Sequence, residues 1–211
     1  MSTLSSTAAP RTTPAPTAAR SHLLYLHGFR SSPRSAKALR MQAWVAEHRP
    51  DLHFACPQLP PSPRAAFALL QELTQDWPTE QSAVMGSSLG GFYTSALIQT
   101  RPGWRAVVIN PAVDPARDLA AYIGEQSCWQ DPAERFFFQP EFVDELRVLR
   151  PDQLLHPQRC LAVVAKGDEL LDWREMQARY AAGPIRLLEG SDHGLSDFDD
   201  HLDALTRFLE L

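Results

Sequence analysis

Six short apolar runs recur along the chain from residue 22 onward. They are His22-Leu23-Leu24-Tyr25-Leu26, His53-Phe54-Ala55-Cys56, Ala83-Val84-Met85, Ala106-Val107-Val108-Ile109, Leu161-Ala162-Val163-Val164-Ala165 and Ile185-Arg186-Leu187-Leu188. Most are continuous rather than alternating, which is the pattern of strands covered on both faces of a sheet. Helix signals lie between them. Ser35 to Glu47 carries Leu39, Trp44 and Val45 on an apolar side, and Ser62-Pro63 places a cap and a first-turn proline before Phe67, Leu70 and Leu73. Asp172 to Tyr180 repeats Trp173, Met176 and Tyr180. Ser196 to Leu209 carries Phe198, Leu202, Leu205 and Leu209, with Ser196 and Asp199 spaced as a capping box. Alternating strands and helices predict an α/β fold: a mostly parallel sheet of about six strands with helices on both faces. Ligands of such sheets bind outside the carboxyl ends of the strands.

Two stretches break the rhythm. Residues 1–20 consist of Ser, Thr, Ala, Pro and Arg with almost no large apolar residue, so they are expected to form a disordered tail ahead of a domain at 21–211. A targeting peptide shares this composition, but Pro10, Pro14 and Pro16 would break the amphipathic helix it needs. Between Ile109 and Cys160 lie about fifty residues with several prolines, the run Phe136-Phe137-Phe138 and a predicted helix from Pro140 to Leu149. That interval is too long for a plain crossover, and residues 111–157 are expected to form a small cap beside the site. The alternative is that the phenylalanines are simply core.

Composition narrows the function classes. A chain of 211 residues with 44% hydrophobic and 21% charged residues reads as one soluble globular domain. Its formal net charge of −5 argues against a nucleic-acid partner, and no apolar stretch approaches the roughly 18 residues of a membrane span. Three widely spaced cysteines, Cys56, Cys128 and Cys160, read as free thiols in a reducing compartment, here taken as the cytoplasm.

The third apolar run leads directly into Gly86-Ser87-Ser88-Leu89-Gly90 and then into the helix-forming stretch Phe92 to Ile98. Strand, sharp turn and helix in that order make a nucleophile elbow, which lifts Ser88 out at the carboxyl end of a strand. Gly-x-Ser-x-Gly alone is a weak signal, and it needs a base and an acid on later strand ends. After Leu161–Ala165 comes Lys166-Gly167-Asp168, and after Ile185–Leu188 comes Ser191-Asp192-His193-Gly194. A serine hydroxyl is a poor nucleophile without a base to take its proton, and the base needs a carboxylate to hold its tautomer. Ser88, Asp168 and His193 are therefore the candidate nucleophile, acid and base. His27-Gly28 after the first strand reads as the loop that supplies an oxyanion-hole amide from Phe29, with the second amide from Leu89. Asp168 rather than Asp172 is expected to be the acid, because Asp172 stands where the next helix would be capped.

Two other clusters compete for attention. Asp192, His193, Asp197, Asp199, Asp200 and His201 include metal-ligand residue types, but acidic residues in a first helical turn are favoured by the helix dipole anyway. Neither a metal nor a cofactor is expected. Arg30, Arg34 and Lys37 could grip an anionic substrate group or form a solvated face.

Taken together, Leu24-Tyr25-Leu26-His27-Gly28-Phe29, the stretch Gly86 to Tyr93, Asn110-Pro111-Ala112-Val113 and Gly167-Asp168-Glu169 resemble the small bacterial α/β-hydrolase esterases of the YqiA type. The resemblance runs from about Leu23 to the C-terminus. It implies the α/β-hydrolase fold and a hydrolase of carboxylic esters or thioesters with small acyl groups, with no cofactor. Ser88 takes the place of nucleophile, Asp168 of acid and His193 of base. The tail departs from the pattern, as do Leu170 and Trp173, where Val and Tyr are usual, and Leu195, where an aromatic residue is common. A small-molecule substrate is the partner so implied. A binding module that has lost catalysis, or transfer of the acyl group to an alcohol or thiol, are the rival readings.

Overall fold

In chain order the elements are β1 (His22–Leu26), α1 (Ala36–His48), β2 (His53–Ala55), α2 (Pro63–Leu73), β3 (Ser82–Ser87), α3 (Leu89–Gln99), β4 (Arg105–Ile109), α4 (Pro115–Leu119), β5 (Gly124–Ser127), β6 (Arg135–Phe138), α5 (Pro140–Leu149), β7 (Cys160–Ala165), α6 (Trp173–Tyr180), β8 (Ile185–Leu188) and α7 (Phe198–Leu209). They come from a computed structural model that describes residues 19–211. Of the expected tail, residues 1–18 lie outside the described residues. Arg20 is buried and donates to the Glu80 and Gly103 carbonyls and to the Glu210 carboxylate.

Each of the six apolar runs becomes a strand of one sheet, ordered β2-β1-β3-β4-β7-β8 with every pair parallel. The continuity of the inner strands β1, β3, β4 and β7 follows from burial on both faces, whereas the edge strands β2 and β8 are only partly covered. Leu24, Leu26, Val84, Val108 and Val164 face one side with residues of α2, α3, α5 and α6. Leu23, Tyr25, Met85, Val107 and Val163 face the other with residues of α1 and α7. The chain moves from β1 outward to β2 and then returns past β1 to β3. The strand order reverses there, so the crevice at the carboxyl ends of β1 and β3 is the place the topology leaves open for a ligand.

The helices follow the sequence pattern with three differences, the first in α2, where Leu73 is exposed while Ala66 and Leu70 are buried. In α1 the buried positions are Ala38, Met41, Trp44 and Val45, while Leu39 is 49% exposed. Leu39 lies one residue out of phase with the 38, 41, 45 stripe, so helical period overrides its apolar character. At α7 the helix opens later than the expected capping box. Asp197, not Ser196, occupies the cap position, and its side chain bonds no backbone amide of the helix. Its carboxylate is taken by the Ser191 hydroxyl and by His201 Nε2 at 3.1 Å. By contrast Ser62 caps α2 as expected, accepting from the Ala65 amide at 3.1 Å ahead of Pro63.

The interval between β4 and β7 holds α4, the antiparallel hairpin β5–β6 and α5. The phenylalanine run alternates as a strand should: Phe138 is buried and Phe137 is 53% exposed. Phe136 and Phe138 pack edge-on against Phe29 with ring centroids 5.9 and 5.3 Å apart, which fastens this insertion to the loop after β1.

Candidate active site

Ser88 sits between β3 and α3 with φ 56° and ψ −120°, a conformation that costs a non-glycine residue about 1–3 kcal/mol. Its own backbone holds it there. The Ser88 amide donates to the Ile109 carbonyl at 2.9 Å, and its carbonyl accepts from Gly91, Phe92 and Ala112 at 2.9, 3.2 and 3.1 Å. Glycine is required on both sides of the turn. A Cβ at Gly86 would collide with the Gly90 carbonyl and Thr94, and one at Gly90 with the Leu26 carbonyl, because α3 crosses directly over β1 and β3.

Asp168 follows β7, and its side chain is fully buried. One carboxylate oxygen accepts from the Leu170 and Leu171 amides at 2.9 and 2.8 Å, and the other faces His193 Nδ1 at 2.8 Å. A carboxylate accepts, so the proton of this imidazole lies on Nδ1 and Nε2 is left with its lone pair. Asp172 caps α6, accepting from the Arg174 amide at 2.9 Å. The structure thus pairs His193 with Asp168 and not with Asp172.

Ser88 and His193 line one cavity of about 680 Å³ together with Gly28, Phe29, Leu119, Tyr122, Trp129 and Leu170. No hydrogen bond joins Ser88 Oγ to His193 among the described residues; contacts of this kind often tighten only when substrate is present. Gly28 lies against the serine, since a Cβ there would stand 3.2 Å from Ser88 Cβ. The amides of Phe29, in the loop after β1, and of Leu89, next to Ser88 in the chain, have no acceptor among the described residues. Leu89 is the first residue of α3, where helix geometry leaves the amide free and the dipole is positive.

The structure also brings in residues whose roles the sequence did not reveal. His27 is buried, and the Leu59 amide donates to its Nε2 at 3.2 Å, so Nδ1 carries the proton and donates to the Gly28 carbonyl at 3.0 Å. Burial lowers the pKa of His27, which favours this neutral form. Because the Gly28–Phe29 peptide is planar, holding its carbonyl also holds the direction of the Phe29 N–H. Asn110, fully buried at the end of β4, reaches both the β7 end and the His193 loop. Both residues stand after apolar runs in the sequence, and a polar residue following a buried strand was the available signal.

The cations near the cavity are already engaged. Arg30 donates to the Ser127 carbonyl and hydroxyl at 2.9 and 3.3 Å and lies 4.1 Å over the Trp129 ring. Arg34 is 3.8 Å from Asp131, and Lys37 Nζ donates to the Gly194 carbonyl. Of the acidic and histidine cluster near α7, His193 turns to Asp168, Asp192 accepts from the Ser196 amide at 2.9 Å, and Asp197 pairs with His201. Among the described residues no three such side chains converge as metal ligands. No described helix is long and apolar enough to cross a membrane. Of the residues that depart from the YqiA-type pattern, Leu170 is 64% exposed at the cavity and Leu195 is buried beneath it.

Comparison with solved structures gives the same architecture. A candidate hydrolase from Agrobacterium vitis S4 superposes with a TM-score of 0.70 at 18% identity, covering 90% of this chain and 88% of that one. Alpha/beta hydrolase domain-containing protein 10 from mouse gives 0.63 at 16% identity, covering 87% and 90%. The esterase domain of a Rhodothermus marinus protein gives 0.62 at 20% identity, covering 94% and 91%. Identities this low establish a shared fold, the α/β-hydrolase fold. The family model of the uncharacterised protein family UPF0227 matches residues 22–210, nearly the whole described chain, and the chain therefore belongs to that family of α/β-hydrolase-fold proteins.

Proposed function

We propose that this protein is a serine hydrolase that cleaves carboxylic esters or thioesters of small acyl groups through an acyl-enzyme intermediate. The observation that carries the reading is the Asp168–His193 pair at 2.8 Å opening on the same cavity as the strained Ser88. In this mechanism His193 Nε2 takes the Ser88 proton as Oγ forms a bond to the substrate carbonyl carbon. The carbonyl oxygen becomes an oxyanion, held by the Phe29 and Leu89 amides. Collapse breaks the bond to the alcohol or thiol, which leaves with the proton from His193. Water then gives its proton to His193 and attacks the acyl carbon. The carboxylic acid departs, and the proton returns to Ser88. Asp168 stays ionised and keeps the imidazole in its Nδ1–H form.

Residues 21–211 make up the hydrolase domain in this reading, with residues 111–157 as its cap; Leu119, Tyr122 and Trp129 from that interval line the cavity. The substrate is a small molecule, and no metal or cofactor takes part. Cys56, Cys128 and Cys160 are all free thiols, which supports a reducing compartment such as the cytoplasm.

A fluorophosphonate probe tests the proposal. Wild-type protein is expected to take up one label, at Ser88, and to hydrolyse p-nitrophenyl esters. Ser88→Ala is expected to take up none and to lose turnover by as much as roughly a million-fold if the three residues act as a unit. Folded wild-type protein that takes up no label would overturn the hydrolase reading in favour of a binding module. Labelling without hydrolysis, but with transfer to an added alcohol or thiol, would replace hydrolysis by acyl transfer.

A further inference from the structure

Asn110 is fully buried, and it spends every polar atom of its side chain on the end of β7 that leads to Asp168 and on the loop that carries His193. Its Oδ1 accepts from the Ala165 amide at 2.8 Å, at the end of β7 and three residues before Asp168. Its Nδ2 donates to the Asp192 and His193 carbonyls at 2.9 and 3.1 Å. The orientation of the amide is not arbitrary. The Ala165 N–H demands an acceptor and the two carbonyls demand donors, so only one of the two flips satisfies all three. Asn110 is itself anchored, since its amide donates to the Val163 carbonyl at 2.9 Å.

The other ties on the His193 loop come from its rim. The His193 amide donates to Glu169, Lys37 donates to the Gly194 carbonyl, and Ser191 donates to Asp197. Glu169 is exposed and the others are only partly covered, so water competes with those bonds. Water does not compete at Asn110. A backbone φ of 41° places the residue where asparagine is among the few side chains tolerated.

We propose, resting on the hydrolase reading above, that Asn110 is a positioning residue: its amide clamps the acid loop and the base loop in one register, and so sets the Asp168–His193 contact. An aspartate of the same shape accepts but does not donate, so it would face two carbonyls with a negative charge. Glycine removes the clamp while accepting the positive φ without strain.

The test uses Asn110→Gly and Asn110→Asp, with turnover, phosphonate labelling and proton NMR of the His193 Nδ1–H. Both variants are expected to unfold cooperatively. Their kcat should fall about 100-fold, the scale of a misplacement near 1 Å, with KM changed by less than about 3-fold. The low-field Nδ1–H resonance of the wild type should weaken or shift in step with kcat. A folded variant with kcat within about 3-fold of wild type and an unaltered resonance overturns the proposal and leaves Asn110 a packing residue. If one substitution prevents folding, the other decides. If neither folds, Asn110→Ser, which keeps one hydrogen bond, is expected to give the same fall in kcat and change in resonance to a smaller extent, and a wild-type kcat in that variant overturns the proposal. The resonance does not need turnover: wild-type protein that neither takes label nor hydrolyses esters sinks the hydrolase reading, and the change in Nδ1–H still judges the clamp.

Discussion

His27→Leu separates the stability of the loop after β1 from the part proposed for it in catalysis. In the wild type the imidazole accepts from the Leu59 amide at 3.2 Å and donates to the Gly28 carbonyl at 3.0 Å. Leucine fills comparable space and does neither. The Leu59 N–H is then left buried without an acceptor, at about 1–3 kcal/mol. The Gly28 carbonyl keeps only the Ser31 amide, 3.3 Å away, and the lost bond is worth about 0.5–1.5 kcal/mol. The sum, about 1.5–4.5 kcal/mol, lowers Tm by about 3–18 °C for a chain of this size. The Phe29 N–H is expected to lose its fixed direction as well. Complete loss of one oxyanion donor lowers kcat by about 100- to 1,000-fold, so a misdirected donor should cost about 10- to 100-fold, with KM little changed.

The pH dependence supplies an independent check. Burial depresses the folded-state pKa of His27 below its ordinary value of 6.5. The associated stability is therefore complete above about pH 6.5 and declines as pH falls toward the folded-state value, because only the unfolded chain takes the proton in that window. The variant lacks this component, so its stability deficit should shrink as the pH is lowered from 7.5 to 5.5. Thermal unfolding across that range and p-nitrophenyl ester turnover at pH 7.5 are the assays. A variant that loses stability but keeps kcat within twofold refutes the coupling of His27 to the Phe29 amide. One that loses neither refutes the hydrogen bonds themselves.

Two further outcomes follow from the site. Asp168→Asn should lower kcat by about ten-thousand-fold, since an amide permits the wrong imidazole tautomer, whereas Asp172→Ala should cost roughly 1 kcal/mol as a lost helix cap and keep most activity; turnover of both decides, and an inactive Asp172 variant beside an active Asp168→Asn reverses the assignment. Dialysis against EDTA should leave turnover unchanged, and a large loss restored by a divalent ion would bring back a metal reading of the residues around His201.

The sequence alone determined the elements and the order of the candidate site residues along the chain. Continuous apolar runs mark the strands, and those that pair inside the sheet, β1, β3, β4 and β7, are buried on both faces, while the edge strands β2 and β8 are only partly covered. Gly86 and Gly90 mark a turn because their neighbours leave no room for a Cβ. Asp168 and His193 stood out because each follows its own strand, and carboxyl ends of parallel strands meet at one edge. Even here local pattern had limits. Leu39 is apolar and exposed, and Ser196 has the spacing of a cap without the role, because α7 opens one residue later with Asp197 at the cap position.

Only the tertiary structure decided which strands are neighbours and which polar groups meet across them. No periodicity encodes the order β2-β1-β3-β4-β7-β8, yet its reversal between β1 and β3 opens the crevice that holds Gly28 and Ser88. Asn110 lies 55 residues from Ala165 and 82 from Asp192, and the tautomer of His27 depends on an amide 32 residues away. Nor does the spacing of Arg30 and Lys37 show that Ser127 and Gly194 already occupy them. Hydrophobic pattern is a local property of the chain, whereas a buried hydrogen bond is set by two distant segments whose separation in space exists only after the sheet is assembled.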